Sequence, residues 1–108
     1  MQNVFSLVDF RQKTEGHDRV ALLIHHPDNE ISRCAFRSIT EASYLSRKTS
    51  VYIADLSQVQ DIHAAFKVKS EPSLLLFENG ELVQVIEGCH ESEYFKALIN
   101  HDSTQNKS

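Results

Sequence analysis

Residues 70–88 read SEPSLLLFENGELVQVIEG, and no other stretch limits the fold as tightly. An apolar run, SLLLF, is followed by Glu-Asn-Gly-Glu and then by LVQVIEG. Asn-Gly between two apolar runs is the strongest short hairpin signal, because both turn residues must take positive φ. The segment therefore predicts two antiparallel strands, entered at Pro72 and left at Gly88. Upstream, VALLI at 20–24 is continuously apolar, as a strand buried on both faces requires. SVYIADL at 50–56 is β-rich and ends in an acidic turn.

Helical spacing fills the intervals. Residues 4–15 predict a first helix with Phe5, Leu7, Val8 and Phe10 on adjoining positions, ended by Gly16. Ile31, Ala35, Ile39, Ala42 and Leu45 recur on one face of a long second helix. Residues 59–66 predict a short third helix, and 91–100 a last one with Tyr94, Phe95, Leu98 and Ile99 on one face. The expected order is α-β-α-β-α-β-β-α, one domain over residues 1–100 with a polar tail at 101–108.

Several functions are disfavoured by what the chain contains. Eleven Lys and Arg against fifteen Asp and Glu leave a charge of −4, and the basic residues are scattered. Nucleic-acid binding through phosphate neutralisation is not expected. The longest apolar runs are too short to cross a bilayer, and the N-terminus does not read as a signal peptide, so a cytoplasmic protein is expected. Two cysteines 55 positions apart form neither a disulfide framework nor a Cys-x-x-Cys zinc pattern. His25 and His26 stand on opposite faces of a strand end, so no metal site and no cofactor are expected. No Gly-x-Ser-x-Gly elbow and no glycine-rich phosphate loop are present.

The order of elements, with AFKVKSEPSLLLFENGELVQVIEG and VYIADLS, resembles the thioredoxin family over roughly residues 5 to 100, with Pro72, Asn79-Gly80 and Gly88 at the family's spacing. The resemblance implies an α/β fold with a central mixed sheet of four or five strands flanked by helices, and a cis bond before Pro72. It also implies a groove beside that proline in which an extended peptide is held by main-chain hydrogen bonds. The family's Cys-Gly-Pro-Cys motif, however, falls on Asn29-Glu30-Ile31-Ser32. Its buried acid falls on Leu23, and its flanking tryptophans on His25 and Asp28. Asn29 and Ser32 can cap a helix but cannot exchange disulfides.

The chain is accordingly expected to be a thioredoxin-like protein without the dithiol motif, a non-catalytic module binding a protein or extended peptide. Its expected groove comprises His25, Asn29, Ser32, Glu71, Pro72, Ser73, Gly88, Cys89 and His90. An acid at Glu71, where the family commonly has an apolar residue, points to a basic ligand. The alternative is a monothiol oxidoreductase using Cys89 or Cys34, with glutathione or a partner's Cys as resolving thiol. A third reading is a homodimer or complex subunit. Cys34 reads as a small core residue, or as the resolving position if the loop is two residues longer. Cys89 reads as a loop thiol beside His90, and a Cys34–Cys89 bond requires Cα atoms within roughly 7 Å. His25 is expected in the tryptophan's place, reaching Asp55 or Ser57, with His26, His17, His63 and His101 at the surface.

Overall fold

The computed structural model describes residues 1–44 and 49–100. Five strands, β1 (Gln2–Val4), β2 (Arg19–His25), β3 (Ser50–Asp55), β4 (Ser73–Glu78) and β5 (Glu81–Glu87), form one sheet in the order β1-β3-β2-β4-β5. β1, β3 and β2 run parallel, β4 runs antiparallel to β2, and β5 antiparallel to β4. The helices are α1 (Leu7–Thr14), α2 (Glu30–Ser43), α3 (Asp61–Ala65) and α4 (Ser92–Ile99). This is the expected α/β arrangement with one strand added at the N-terminus.

The central strand explains the continuous apolar run. Side chains alternate across a strand, so Val20, Leu22 and Ile24 pack with Phe10, Ile62, Leu75 and Phe77 on one side of the sheet. Ala21 and Leu23 pack with Ala35, Ile39, Leu74, Phe95 and Ile99 on the other. Both faces are covered by helices, so no position from 20 to 24 could be polar without leaving a buried group to satisfy. The hairpin turn has Asn79 at φ 52° and Gly80 at φ 85°, the positive-φ pair that a two-residue turn demands.

Three expectations about faces need correction. Phe5 and Val8 are exposed, because Ser6 caps α1 and the helix starts at Leu7; Phe10 alone of its residues is buried. Ile31 is also exposed, standing in the first turn of α2 beyond the edge of the packing, whereas Ala35, Ile39 and Ala42 are buried. In α4, Phe95 and Ile99 are buried and Tyr94 is exposed. Leu45, His101 and the tail 101–108 lie outside the described residues. No helix among the described residues is long and apolar enough to cross a membrane.

Candidate functional site

At the C-terminal end of β2 the chain turns into α2, and here the loop closes on itself. The side-chain oxygen of Asn29 accepts the backbone N–H groups of Ile31 (2.8 Å) and Ser32 (3.1 Å). An N-cap of this kind contributes about 1 kcal/mol. It also occupies the helix end where a thiolate would otherwise be stabilised. Ser32 is fully buried, and its Oγ accepts the His26 N–H at 3.2 Å. The Asn29 N–H donates to the His26 carbonyl (2.9 Å), and the Arg33 guanidinium to the Pro27 carbonyl (2.8 Å). The loop's polar groups thus serve to hold its own shape.

Leu23, one turn of strand before the loop, is 1% exposed and lies between Ile53 of β3 and Leu74 of β4. No proton carrier stands in that part of the core. Among the described residues the helix end has no cysteine in its first turn and no buried acid at residue 23; Glu30 and Asp28 there are exposed.

On the other side of β2 the chain enters β4. The Glu71–Pro72 peptide bond is cis, and Pro72 and Ser73 are buried. Ser73 pairs with Ile24 of β2 and with Glu87 of β5, and its hydroxyl donates to the Ser70 carbonyl (2.7 Å). Gly88, at φ 87°, donates its N–H to the Pro72 carbonyl at 3.0 Å. That bond brings the β5–α4 loop against the proline. Glu71 is half-buried, precedes the β4 ladder, and makes no backbone hydrogen bond among the described residues.

The two cysteines meet at this loop. Cys34, in the second turn of α2, and Cys89 are joined by a disulfide with an S–S distance of 2.00 Å and Cα atoms 5.8 Å apart. Both residues are half-buried. This corrects the reading of Cys34 as an apolar-packed free thiol and removes the free thiol that a monothiol mechanism needs. Neither residue carried a local signal for the pairing, because it depends on the approach of α2 to the β5–α4 loop. The His90 ring lies against Tyr94 (4.5 Å between centroids), and its Nε2 is 3.0 Å from the Glu87 carbonyl oxygen.

His25 belongs to a different corner. Its ring stacks on Phe36 of α2 at 5.3 Å and 13°, and the residue pairs with Asp55 across β2 and β3. Together with Asn3, Val4, Phe5 and Gln58 these residues line a cavity of about 230 Å³. His25 thus shares the expected neighbour Asp55, but its contacts lead away from Glu71 and Gly88. His26 is half-buried rather than at the surface, its Nδ1 accepting the Asp28 N–H at 3.3 Å. A larger cavity of about 700 Å³ lies at the opposite end of the sheet, between the end of α1 and the Asn79-Gly80 turn. Among the described residues no group of three or more His, Cys, Asp or Glu side chains is placed to hold a metal ion.

Two charges in the His25 corner are shifted. Burial holds the His25 pKa below its ordinary 6.5; the Asp55 carboxylate raises it in opposition, and His26 lowers it further. Desolvation pushes Asp55 up, but hydrogen bonds from the Ser57 hydroxyl and N–H, with the nearby histidines, outweigh it and leave the carboxyl below its usual range. A histidine whose folded pKa is depressed binds fewer protons in the folded state than in the unfolded one. Stability is therefore lost as pH falls below 6.5 toward the depressed native value. Wild type is expected to lose more stability than His25→Phe between about pH 7 and 5 in urea denaturation, and equal losses would count against this assignment.

Comparison with known proteins follows this geometry. Residues 39–94 match the family described as hydrogenase-1 expression protein HyaE. Thioredoxin-1 of Caenorhabditis elegans is 29% identical over 51 residues, covering 47% of this chain and 44% of that protein. The match therefore spans under half the length of that relative. Among solved structures, Plasmodium falciparum thioredoxin superposes with a TM-score of 0.83 at 18% identity, covering 92% of this chain and 96% of the other. Malassezia sympodialis thioredoxin gives 0.78 at 18% identity, over 100% of this chain and 91% of the other. These structures share the fold, while the HyaE match spans more than half of the 108 residues. A thioredoxin fold whose residues 39–94, more than half of the chain, match that family model is a member of the HyaE family.

Proposed function

We propose that this chain is an accessory binding protein in hydrogenase expression, holding an extended segment of a partner protein along the edge formed by Glu71, Pro72, Ser73 and Gly88. The observation that carries this reading is Glu71, whose backbone N–H and C=O have no hydrogen-bond partner among the described residues just before a strand that is paired on both sides. Such an edge takes an added strand, with main-chain hydrogen bonds for affinity and side chains for selectivity. The helix end supports holding rather than Cys-x-x-Cys exchange, since Asn29 and Ser32 spend their polar atoms on the loop. Glu71 at the edge and Glu87 opposite Ser73 favour a segment with basic side chains.

The test uses synthetic cysteine-free peptides with lysine or glutamate at alternate positions. The lysine peptide is expected to bind better, and Glu71→Lys to weaken it by about tenfold. Equal binding of both peptides, unchanged by Glu71→Lys, would sink the proposal.

A further inference from the structure

The Cys34–Cys89 disulfide adds a reaction to that groove, and the inference rests on the binding reading above. We propose that Cys34 and Cys89 form a dithiol–disulfide couple that exchanges with two cysteines of the bound segment. The couple takes over, from the opposite wall of the groove, the chemistry that the helix end has lost.

Three observations carry it. First, Cys89 directly follows Gly88, whose N–H is bonded to the Pro72 carbonyl at 3.0 Å, so the disulfide adjoins the edge on which a segment would lie. Second, both cysteines are half-buried, whereas the core beneath them is complete: Phe95, Ile99, Ala35 and Ile39 are each 0% exposed. Cys89 packs against that core from its edge, so the pair stands at the rim rather than inside it. Third, the Cys89 sulfur lies 3.8 Å from the His90 carbonyl oxygen, an acceptor for the thiol hydrogen once the bond is reduced. Disulfides exchange by attack of a thiolate on one sulfur, so access to a sulfur decides which bonds react.

A thiolate of the bound segment attacks the Cys89 sulfur; the Cys34–Cys89 bond breaks, and Cys34 leaves as a thiolate that takes up a proton. The mixed disulfide between Cys89 and the segment is then attacked at the segment's sulfur by the segment's second thiolate. A disulfide forms within the segment, and Cys89 leaves and is protonated. The segment loses two electrons and two protons, and the protein's cysteine pair gains both. The reverse sequence reduces a segment disulfide.

The probe is a synthetic octapeptide with two cysteines separated by two residues, and a second peptide with serines in their place. Reduced wild type is expected to reduce the peptide's disulfide one for one, closing its own Cys34–Cys89 bond, about tenfold faster than glutathione at equal thiol concentration. The Cys34→Ser protein, incubated with the peptide's disulfide form, accumulates a mixed disulfide on Cys89, while Cys89→Ser accumulates about tenfold less on Cys34. Circular dichroism confirms that each variant is folded, and the wild-type arm needs no substitution. A peptide disulfide left intact by folded, reduced wild type, or opened no faster than by glutathione, would show a structural crosslink only and overturn the proposal. The serine peptide separates the two readings: its binding while the peptide disulfide is left intact removes the redox couple alone, and its failure to bind removes the groove.

Discussion

Replacing both cysteines, as Cys34→Ala/Cys89→Ala, lowers the unfolding free energy by about 4 kcal/mol and the melting temperature by on the order of 15–20 °C. The loop closed by the bond is 55 residues long in sequence separation. In the chain-entropy account a crosslink of that span removes about 4 kcal/mol of freedom from the unfolded ensemble at room temperature. The core loses little, since Cys89 packs against it only from the edge while Ala35, Ile39, Phe95 and Ile99 are fully buried beneath. Most of the effect therefore lies in the unfolded state, and the denaturant m-value should rise as the uncrosslinked chain exposes more surface. Urea denaturation of oxidised wild type, reduced wild type and the double variant checks this, after mass measurement of the unreduced chain. The last two are expected to coincide. A loss below about 1 kcal/mol would mean that the bond constrains little. By linkage the native fold favours closing the bond by the same 4 kcal/mol, about a thousandfold over the unfolded chain, so native packing and sulfur chemistry are one equilibrium.

How far such features could be read from sequence depends on how local their causes are. The hairpin at Asn79-Gly80 is legible because only a few residues tolerate two positive φ angles in succession. β2 is legible because five consecutive apolar residues serve two cores. β1 is three residues long, paired only with β3, and too short to show a period. The exposed positions of Phe5 and Val8 follow from a helix start at Leu7 that Ser6 fixes through its bond from the Asp9 N–H, a signal the apolar spacing obscured. At the site, Asn29 and Ser32 could be placed by resemblance to the thioredoxin motif, and the cap at Asn29 follows from residue type; the full burial of Ser32, whose hydroxyl accepts the His26 N–H instead of capping the helix, does not. The union of Cys34 with Cys89 could not, because it is set by the distance between two elements 55 residues apart. Sequence places His25 near Asp55 or Ser57, and Asp55 is its cross-strand neighbour; yet the buried His25 Nδ1 has no hydrogen-bond partner among the described residues, and its ring stacks on Phe36, which depends on the rotation of α2.

Leu23→Asp, which restores the acid that thioredoxins bury at the corresponding place, is expected to cost more than about 5 kcal/mol at neutral pH and to leave the chain largely unfolded. Truncating a buried Leu costs about 2–5 kcal/mol by itself. A carboxyl without hydrogen-bonding partners adds a further penalty of about 2–7 kcal/mol. Leu23 lies among Ile53, Leu74, Ala35 and Ile39, none of which offers a side-chain donor. Burial would push the new carboxyl's pKa up, so the folded state would hold a proton that the unfolded state releases. Stability should consequently rise as pH falls from above the folded pKa toward the unfolded value of about 3.9, the reverse of the His25 dependence. Urea denaturation of Leu23→Asp, Leu23→Ala and wild type at two pH values measures both effects. A Leu23→Asp protein no less stable than Leu23→Ala at neutral pH would reveal water reaching residue 23 and a proton route still open to the helix end. With Asn29 capping the helix end and Leu23 buried beneath it, an ionisable group at residue 23 adds only a cost to this fold.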